Sequence, residues 1–165
     1  MLSRLGMCLT LIGCSAALSG CGVEAGGIVG MTVDNAGRPV AVVQMCEGHI
    51  DGATLYLSRD NNESEHFGRW EVSPPVTGFS QFDLNAGGNG WRLVGTLKPR
   101  DPATKYTIYG WSNDSSRSAA HLEFSEQDLK GLRPGTVLAP SLDDFDTLET
   151  RSVADFRNKT CENWF

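Results

Sequence analysis

The feature of this chain that most restricts its fold is a series of short apolar runs separated by turn-forming residues. The run at 39–46 is dense in valine and follows Asn35-Ala36-Gly37. β-Branched residues bounded by Asn and Gly favour strands and tight connections. Similar runs recur at 28–34, 53–57, 69–72, 79–84, 91–97, 106–111 and 120–124. Many short strands with frequent turns predict an all-β, antiparallel sandwich or barrel.

Two short helices are predicted in the last third of the chain. Ser125 is followed three positions later by Asp128, which is the pattern of a capping box. Ser152 precedes a second segment, in which Phe156 supplies part of an apolar face. The expected fold is therefore all-β with one or two short C-terminal helices.

The stretch 97–110 resembles the tyrosine corner of immunoglobulin-like and fibronectin type III domains. It contains the turn Leu97-Lys98-Pro99 and a strand that opens with Tyr106-Thr107-Ile108. In those domains the tyrosine hydroxyl hydrogen-bonds back to the turn and fixes the crossing between sheets. The loop before Tyr106 is a couple of residues longer than the usual fibronectin form. The resemblance implies an antiparallel immunoglobulin-like β-sandwich.

The N-terminal segment has the three parts of a secretory signal. Arg4 supplies a basic start, an uncharged apolar body runs from 5 to 18, and small residues follow. The body is shorter than the roughly 20 apolar residues of a transmembrane helix. Leu18-Ser19-Gly20-Cys21 resembles the lipobox of bacterial lipoprotein precursors. The resemblance implies cleavage between Gly20 and Cys21 and acylation of the Cys21 sulfur. The alternative is an ordinary secreted protein in which that cysteine is incidental.

This resemblance divides the chain into three parts. Residues 1–20 are the predicted signal peptide, residues 21–27 are the lipidated cysteine with a glycine-rich flexible tether, and residues 28–165 form a single β-sandwich domain. Two acyl chains make a durable anchor, because each buried methylene contributes about 0.8 kcal/mol and one chain alone binds marginally. The expected location is the extracytoplasmic face of the cell membrane, with the membrane as one partner.

The lipobox also accounts for the cysteines. Cys8 and Cys14 lie in the predicted signal peptide and Cys21 carries the lipid, so Cys46 and Cys161 remain. Two cysteines in an exported domain most simply form one disulfide. Closing a loop of about 100 residues stabilises by about 4–5 kcal/mol on chain-entropy grounds. A zinc site would need further His or Cys ligands at finger spacing, and neither cysteine has them nearby.

The charge balance limits the possible partners. The chain has 14 basic and 20 acidic residues and a formal net charge of −6. Nucleic-acid binding needs a positive surface, so no nucleic acid is expected. An acidic surface also disfavours broad contact with anionic lipid or anionic wall polymer beyond the anchor. The remaining partner classes are protein and glycan.

No motif in the chain marks a catalytic, metal or cofactor site. The histidines form no HExxH motif, and no serine lies in a Gly-x-Ser-x-Gly elbow. A polar site at His49 and Asp51, where the second strand meets the third, is the rival hypothesis of a small envelope hydrolase. The acidic clusters at 60–65 and 143–149 carry oxygen ligands of the kind calcium uses but lack EF-hand spacing. We therefore assign no catalytic residue, no metal and no cofactor.

Tyr109 and Trp111 form the candidate binding surface. They share one strand face, opposite Tyr106 and Ile108, so they face outward if Tyr106 and Ile108 belong to the core. An outward Tyr–Trp pair suits stacking on sugars or on protein partners. The alternative is that the C-terminal helix or a neighbouring segment covers the pair.

The mature chain as a whole resembles a group of small actinomycete lipoproteins of the Streptomyces type. The stretches that carry the resemblance are 30–39 (GMTVDNAGRP), 46–52 (CEGHIDG), 109–112 (YGWS) and 124–129 (FSEQDL). The resemblance implies a location and no particular activity. The sequence thus predicts a membrane-anchored, non-enzymatic envelope lipoprotein that binds protein or glycan. The rivals are the small hydrolase and a purely structural spacer.

Overall fold

The computed structural model describes residues 22–58, 64–162 and 164. The predicted signal peptide, its cleavage site and Cys21 lie outside the described residues, as do residues 60–63 of the first acidic cluster. The strands are β1 (Ala25–Val33), β2 (Pro39–Met45), β3 (Ile50–Ser58), β4 (Ser64–Val76), β5 (Phe79–Asp83), β6 (Trp91–Leu93), β7 (Lys105–Trp111), β8 (Ser118–Ser125), β9 (Thr136–Pro140) and β10 (Leu148–Ser152), and the helices are α1 (Glu126–Lys130) and α2 (Val153–Lys159). The all-β class with two short helices is confirmed.

The ten described strands belong to one continuous sheet that is nearly closed into a barrel. The strand order is β10-β9-β1-β8-β7-β3-β4-β6, and β2 branches from β1 and pairs with β5. β1 pairs antiparallel with β2 along one edge, and with β8 and then β9 along the other. The β1–β8 pairing is parallel, so the expectation of a purely antiparallel sheet is wrong. These two strands are far apart in the chain, and no hairpin dictates their relative direction.

The main core is one apolar cluster shared by the β1-β2-β5 part and the β8-β7-β3-β4 part of the sheet. Trp70 of β4 and Phe82 of β5 meet there with ring centroids 5.4 Å apart. Phe82 also stacks on Trp91 at 4.2 Å. Buried positions alternate with more exposed ones along most of β8 and from Ile108 to Trp111 of β7, while Thr107 is buried as well. One face of these strands therefore lies against the core and the other faces outward.

The predicted hydrogen bond of the tyrosine corner is present. The backbone N–H of Asp101 donates to the hydroxyl of Tyr106 at 2.7 Å, and Tyr106 is buried. Phe67 packs edge-on against the same ring, with the centroids 4.8 Å apart. Such a hydrogen bond contributes about 1 kcal/mol net. It ties the connection before β7 to the first residues of that strand.

The two helices begin at the serines that the sequence indicates. Ser125 is the N-cap of α1 and forms a complete capping box with Asp128. Ser152 is the N-cap of α2, and its hydroxyl accepts a hydrogen bond from the backbone N–H of Asp155 at 2.9 Å. In the part of the chain that the structure describes, no helix combines the length and apolar character that crossing a bilayer requires.

Helix α2 covers the outer face of β1 and β2. Phe156 is fully buried in a second apolar cluster with Ile28 of β1 and Val42 of β2. Cys46 follows β2 and forms the predicted disulfide with Cys161, which follows α2. The link joins positions 115 residues apart in the chain. The C-terminal segment is thereby fastened to the end of β2.

The first strand begins earlier than the sequence suggests. β1 starts at Ala25, so Gly26 and Gly27 belong to the strand and not to a flexible tether. A Cβ atom at Gly27 would lie 2.4 Å from the carbonyl oxygen of Gln44, and one at Gly26 would lie 2.3 Å from that of Glu47. Glycine serves close backbone approach as well as flexibility, and sequence alone does not separate the two uses. Of the predicted tether 21–27, the described residues outside the strand are 22–24.

Candidate functional site

The outer face of β8, β7, β3 and β4 carries a row of ring side chains, one from each strand. In strand order they are His121, Tyr109, Tyr56 and His66, and they are termed the ring row. Tyr56 and His66 are direct cross-strand partners. The rings of Tyr56 and Tyr109 meet edge to face with centroids 5.8 Å apart. The sheet thus presents four rings together on one outward surface.

The ring row lines an open depression of about 540 Å³. The other lining residues are small or apolar: Val23, Ala25, Ser64, Ser118, Ala119 and Ala120. Neither Asp, Glu, Lys nor Arg occurs among the described residues that line it. The volume falls within the range of small-molecule binding sites. A partly aromatic depression of this size is suited to binding a small ligand.

Irregular strand pairing accompanies both tyrosines of the ring row. The β3–β4 register shifts between Leu55 and Tyr56, and the β7–β8 register shifts between Ile108 and Gly110, on either side of Tyr109. A bulge changes the direction of local side chains, and bulges are common beside functional sites. Each tyrosine thus lies beside a register shift, while Tyr56 stays paired with His66 and Tyr109 with Thr54.

Trp111 lies on the same outward face but is held by its neighbours. Its indole N–H donates to the hydroxyl of Thr54 at 3.0 Å. The guanidinium carbon of Arg69 lies 3.9 Å from the centroid of the indole. The indole also crosses Gly52, where a Cβ atom would lie 2.2 Å from Trp111 Cζ2. The structure thus separates the predicted pair: Tyr109 lines the depression and Trp111 supports the sheet beside it.

Helix α2 does not cover the predicted binding surface. It packs on β9 and β10 and on the outer face of β1 and β2. Tyr109 and Trp111 are both half-buried, while Tyr106 and Ile108 on the opposite face are buried. The strand alternation inferred from sequence therefore describes β7 correctly.

The sequence alone does not predict that Tyr56, His66 and His121 lie next to Tyr109. The strand order places β3 between β4 and β7, and this order creates the ring row. A local signal was present for Tyr56, because Leu55 and Leu57 pack on the core and the residue between them must face outward. Which outward residues become neighbours depends on long-range pairing.

His49 and Asp51, the residues of the rival hydrolase hypothesis, are in contact. His49 Nε2 lies 3.4 Å from Asp51 Oδ2. The same carboxylate oxygen accepts the backbone N–H of Asn113 at 2.8 Å, which fixes the loop between β7 and β8. The hydroxyl of Ser112 in that loop donates to the carbonyl of Arg117 at 2.7 Å. These contacts give Asp51 and Ser112 a role in holding the loop.

Asp114 completes this loop. The side chain and backbone of Ser116 hydrogen-bond to its carboxylate and hold its pKa at about 2, with smaller effects of the same direction from Ser112 and from the charge of His49. The backbone N–H of Ser116 lies 3.0 Å from Asp114 Oδ1. The carboxylate is therefore ionised near neutral pH and serves as a fixed acceptor for the turn.

The second acidic cluster closes a turn between β9 and β10. Asp144 accepts hydrogen bonds from the Thr147 hydroxyl at 2.7 Å and from the Asp146 backbone N–H at 3.2 Å. Across residues 22–58, 64–162 and 164, no group of three or more His, Cys, Asp or Glu side chains is placed to hold a metal ion. Asp144 is thus used in turn formation, and Glu149 Oε1 lies 3.3 Å from Arg151 Nη2.

The fold and the ring row define a small all-β domain with one sealed and one open outer face. Comparisons of the chain with models of protein families, with curated proteins and with solved structures gave no match in any of the three. What this domain binds or does must therefore be inferred from its own residues, and the open face is the place to start.

Proposed function

We propose that this protein is a non-enzymatic binding module whose ligand occupies the depression over the ring row. One observation carries the proposal: four neighbouring strands each contribute a ring to one open depression without Asp, Glu, Lys or Arg among its described lining residues. Tyrosine combines a large apolar ring with a polar rim, which suits reversible contact with partly polar ligands. Protein and glycan are the partner classes consistent with this surface.

The proposed location is the extracytoplasmic face of the cell membrane, with Cys21 as the lipidated anchor. The residues Leu18-Ser19-Gly20-Cys21 support this location. The Cys46–Cys161 disulfide also supports it, because stable disulfides are typical of exported proteins. With β1 starting at Ala25, the domain begins four residues after the anchor (25 − 21 = 4). The anchored domain would thus lie close to the lipid surface.

An immunoglobulin-like sandwich is the fold that we propose for this sheet. One layer would be β1-β2-β5 and the other β1-β8-β7-β3-β4-β6, with β1 shared between them. The hydrogen bond between Asp101 and Tyr106 is the contact expected of a tyrosine corner. The hairpin of β9 and β10 would be an addition that extends the second edge of β1.

Site-specific crosslinking in intact cells tests the binding proposal. A photoreactive p-benzoylphenylalanine is introduced at position 121, which is exposed within the depression, or at position 36, which is exposed in the β1–β2 turn. Irradiation should give adducts from position 121, and Tyr109→Ala should reduce them. Position 36 is the control and should give no such adducts. Equal adducts from both positions, unaffected by Tyr109→Ala, would contradict the proposal.

Metabolic labelling with a radioactive fatty acid tests the anchor. Cys21→Ala should abolish incorporation of the label and block cleavage between Gly20 and Cys21, because in lipoprotein precursors the cysteine sulfur is acylated before cleavage. Cys14→Ala is the matched control, since this cysteine lies in the predicted signal peptide, and it should leave labelling unchanged. Full labelling of the Cys21→Ala variant would rule out this cysteine as the anchor.

A further inference from the structure

We infer that the ligand of the ring-row depression is an uncharged carbohydrate chain lying across the strands. This inference rests on the proposed binding function of the same depression and adds the chemical class of the ligand. Three properties of the described surface carry it: a lining without Asp, Glu, Lys or Arg, a position in the middle of the sheet, and the spacing of its rings.

The described lining of the depression provides no acidic residue, lysine or arginine to pair with an ionic ligand, although the chain carries a net charge of −6. Two described pairs of charged residues near it hold each other: Lys105 Nζ lies 3.1 Å from Glu123 Oε1, and Arg117 Nη1 lies 3.1 Å from Glu24 Oε2. A charged ligand would lose water there without gaining a partner of opposite charge, which is unfavourable. An uncharged ligand avoids this cost.

The position of the depression disfavours an extended peptide. Peptides commonly bind a sheet by adding a strand to an unpaired edge. β3 is paired with both β4 and β7, and β7 is paired with both β3 and β8, so the tyrosines stand on interior strands. Their backbone groups are already used in the ladders. A ligand here must be recognised by side chains alone.

The side chains of the depression match a hydroxyl-rich ligand. Two phenol hydroxyls, two imidazoles and the hydroxyls of Ser64 and Ser118 provide both donors and acceptors. The ring faces provide flat apolar area between these polar groups. Sugars have the same combination, with apolar ring faces and a rim of hydroxyls. A purely apolar ligand would leave most of the polar groups unmatched.

The spacing of the rings matches a short chain of sugars. Neighbouring strands lie about 4.8 Å apart, so a row over four strands spans about 14 Å. The centroids of Tyr56 and Tyr109 are 5.8 Å apart, close to the repeat of successive sugar units in a chain. Because the two rings meet edge to face, we place one sugar unit on a tyrosine face and the next unit against the edge of the other tyrosine, with His66 and His121 contacting the units at either end.

Titration of the full-length protein with defined oligosaccharides tests this inference. The protein is kept in a polyoxyethylene detergent, because detergents with sugar headgroups would compete. The probes are neutral hexasaccharides of β-1,4-glucose, α-1,4-glucose, α-1,6-mannose and β-1,4-N-acetylglucosamine. At least one should bind saturably by calorimetry. Tyr56→Ala and Tyr109→Ala should each raise the Kd for that hexasaccharide by about tenfold or more, as expected for a ring at the centre of an interface.

Matched variants separate ring stacking from other effects. Tyr56→Phe and Tyr109→Phe keep the ring and should stay within about threefold of the parent Kd. Asn35→Ala changes an exposed residue of the β1–β2 turn that does not line the depression and should leave the Kd unchanged. His66→Ala, at an exposed position, is a second test that does not depend on half-buried packing and should also weaken binding. Near-ultraviolet circular dichroism checks that each variant is folded.

Two results would overturn the inference. The first is that none of the four hexasaccharides binds, or that the Kd is unchanged by all three alanine substitutions in the ring row. The second is tighter, tyrosine-dependent binding of a hexasaccharide of galacturonic acid, which would show an anionic ligand in the same depression. The second result would leave the proposed binding module intact, whereas equal crosslinking from positions 121 and 36 would remove it.

Discussion

The two outer faces of this sheet differ in burial: α2 covers the face formed by β1 and β2, whereas the face formed by β3 and β7 is partly exposed. On β1 and β2, Ile28 and Val42 are completely buried beneath α2, together with Phe156. On β3 and β7, Tyr56 and Tyr109 are only half-buried, and no helix lies over them in the described residues. Among the described helices, α2 therefore covers one face and leaves the ring row uncovered. The other face remains open with side chains that tolerate water.

The residue types on each face explain why one face is buried and the other can remain in contact with water. Exposing aliphatic and phenylalanine side chains to water is unfavourable, so the β1–β2 face is stable only when α2 covers it. Tyrosine, histidine and serine keep polar atoms at the surface and can stay exposed. One face of an antiparallel sheet can remain solvated when its residues are of this kind. The open face is thus a stable surface in the absence of a ligand.

Removing the disulfide should have the largest effect on global stability, and local opening should increase most on the covered face. Cys46→Ala together with Cys161→Ala deletes a link between positions 115 residues apart. Because a loop of this size gains about 5 kcal/mol from closure, urea unfolding should show a loss of that order. Hydrogen exchange should rise in α2 and at the end of β2. Equal increases in β3 and β7 would mean that the two faces are not independent.

Removing one aromatic ring should lower the free energy of unfolding much more on the covered face than on the open face. Phe156→Ala empties a fully buried site and should lower the free energy of unfolding by about 4 kcal/mol. Tyr109→Ala removes a half-buried ring from the open face and should cost about 1 kcal/mol or less. Both values come from urea denaturation at neutral pH. A similar loss for the two variants would show that Tyr109 is packed as a core residue.

Local sequence signals predicted the parts of the molecule that depend on neighbouring residues. The capping serines of both helices depend on groups three residues away, and they were identified correctly. The outward direction of Tyr109 follows from alternation within one strand. The disulfide followed from an inventory in which only Cys46 and Cys161 remained. Each of these inferences needs no knowledge of strand order.

The features that escaped prediction depend on long-range pairing. The ring row exists because β3 lies between β4 and β7, and the parallel β1–β8 pairing joins strands about ninety residues apart. Loop closure over such distances is a global property of the fold and leaves no local mark on composition. Gly26 and Gly27 were assigned to a tether because glycine has the same local signature in a linker and in a closely packed strand.

Adding one methyl group to the open face should measure how tightly Trp111 is held there. At Gly52, a Cβ atom would lie 2.2 Å from Trp111 Cζ2 and 2.4 Å from the carbonyl oxygen of Trp70. Because the backbone oxygen cannot move freely, Gly52→Ala should cost about 1–3 kcal/mol and shift the indole fluorescence.

Gly131→Ala is the matched control for this substitution. Gly131 has a φ of −81° at the C-cap of α1, and a Cβ atom there would lie no closer than 3.6 Å to its nearest neighbour. It should be neutral or stabilise by up to about 1 kcal/mol, since it restricts the unfolded chain. If Gly52→Ala behaves like Gly131→Ala, Trp111 is not held against β3.

The pH dependence of stability should show the smallest difference between the two faces. Its dependence on salt should distinguish a carboxylate held by an ion pair from one held by uncharged hydrogen-bond donors. On the covered side, a hydrogen bond from Lys159, followed by one from Ser152, lowers the pKa of Asp155 below its ordinary 3.8. In the loop beside the open face, hydrogen bonds from Ser116 lower the pKa of Asp114 to about 2. Both carboxylates lose protons more readily in the folded chain than in the unfolded chain. Their contributions to stability are therefore complete above the unfolded pKa of 3.8 and disappear as the pH falls through the folded values.

Asp155→Asn and Asp114→Asn should each flatten the stability profile below about pH 4, the usual range of an Asp carboxyl. The parent and each variant are compared by thermal melting from neutral pH to acid, at low and at high salt. Salt should reduce the effect of Asp155→Asn, because its main partner is the charged Lys159, whose Nζ lies 2.5 Å from Asp155 Oδ1. The effect of Asp114→Asn should persist, because its main partner, Ser116, is uncharged. Equal salt sensitivity in the two variants would indicate that the loop beside the open face is also held by ion pairing, and that the faces differ in packing alone.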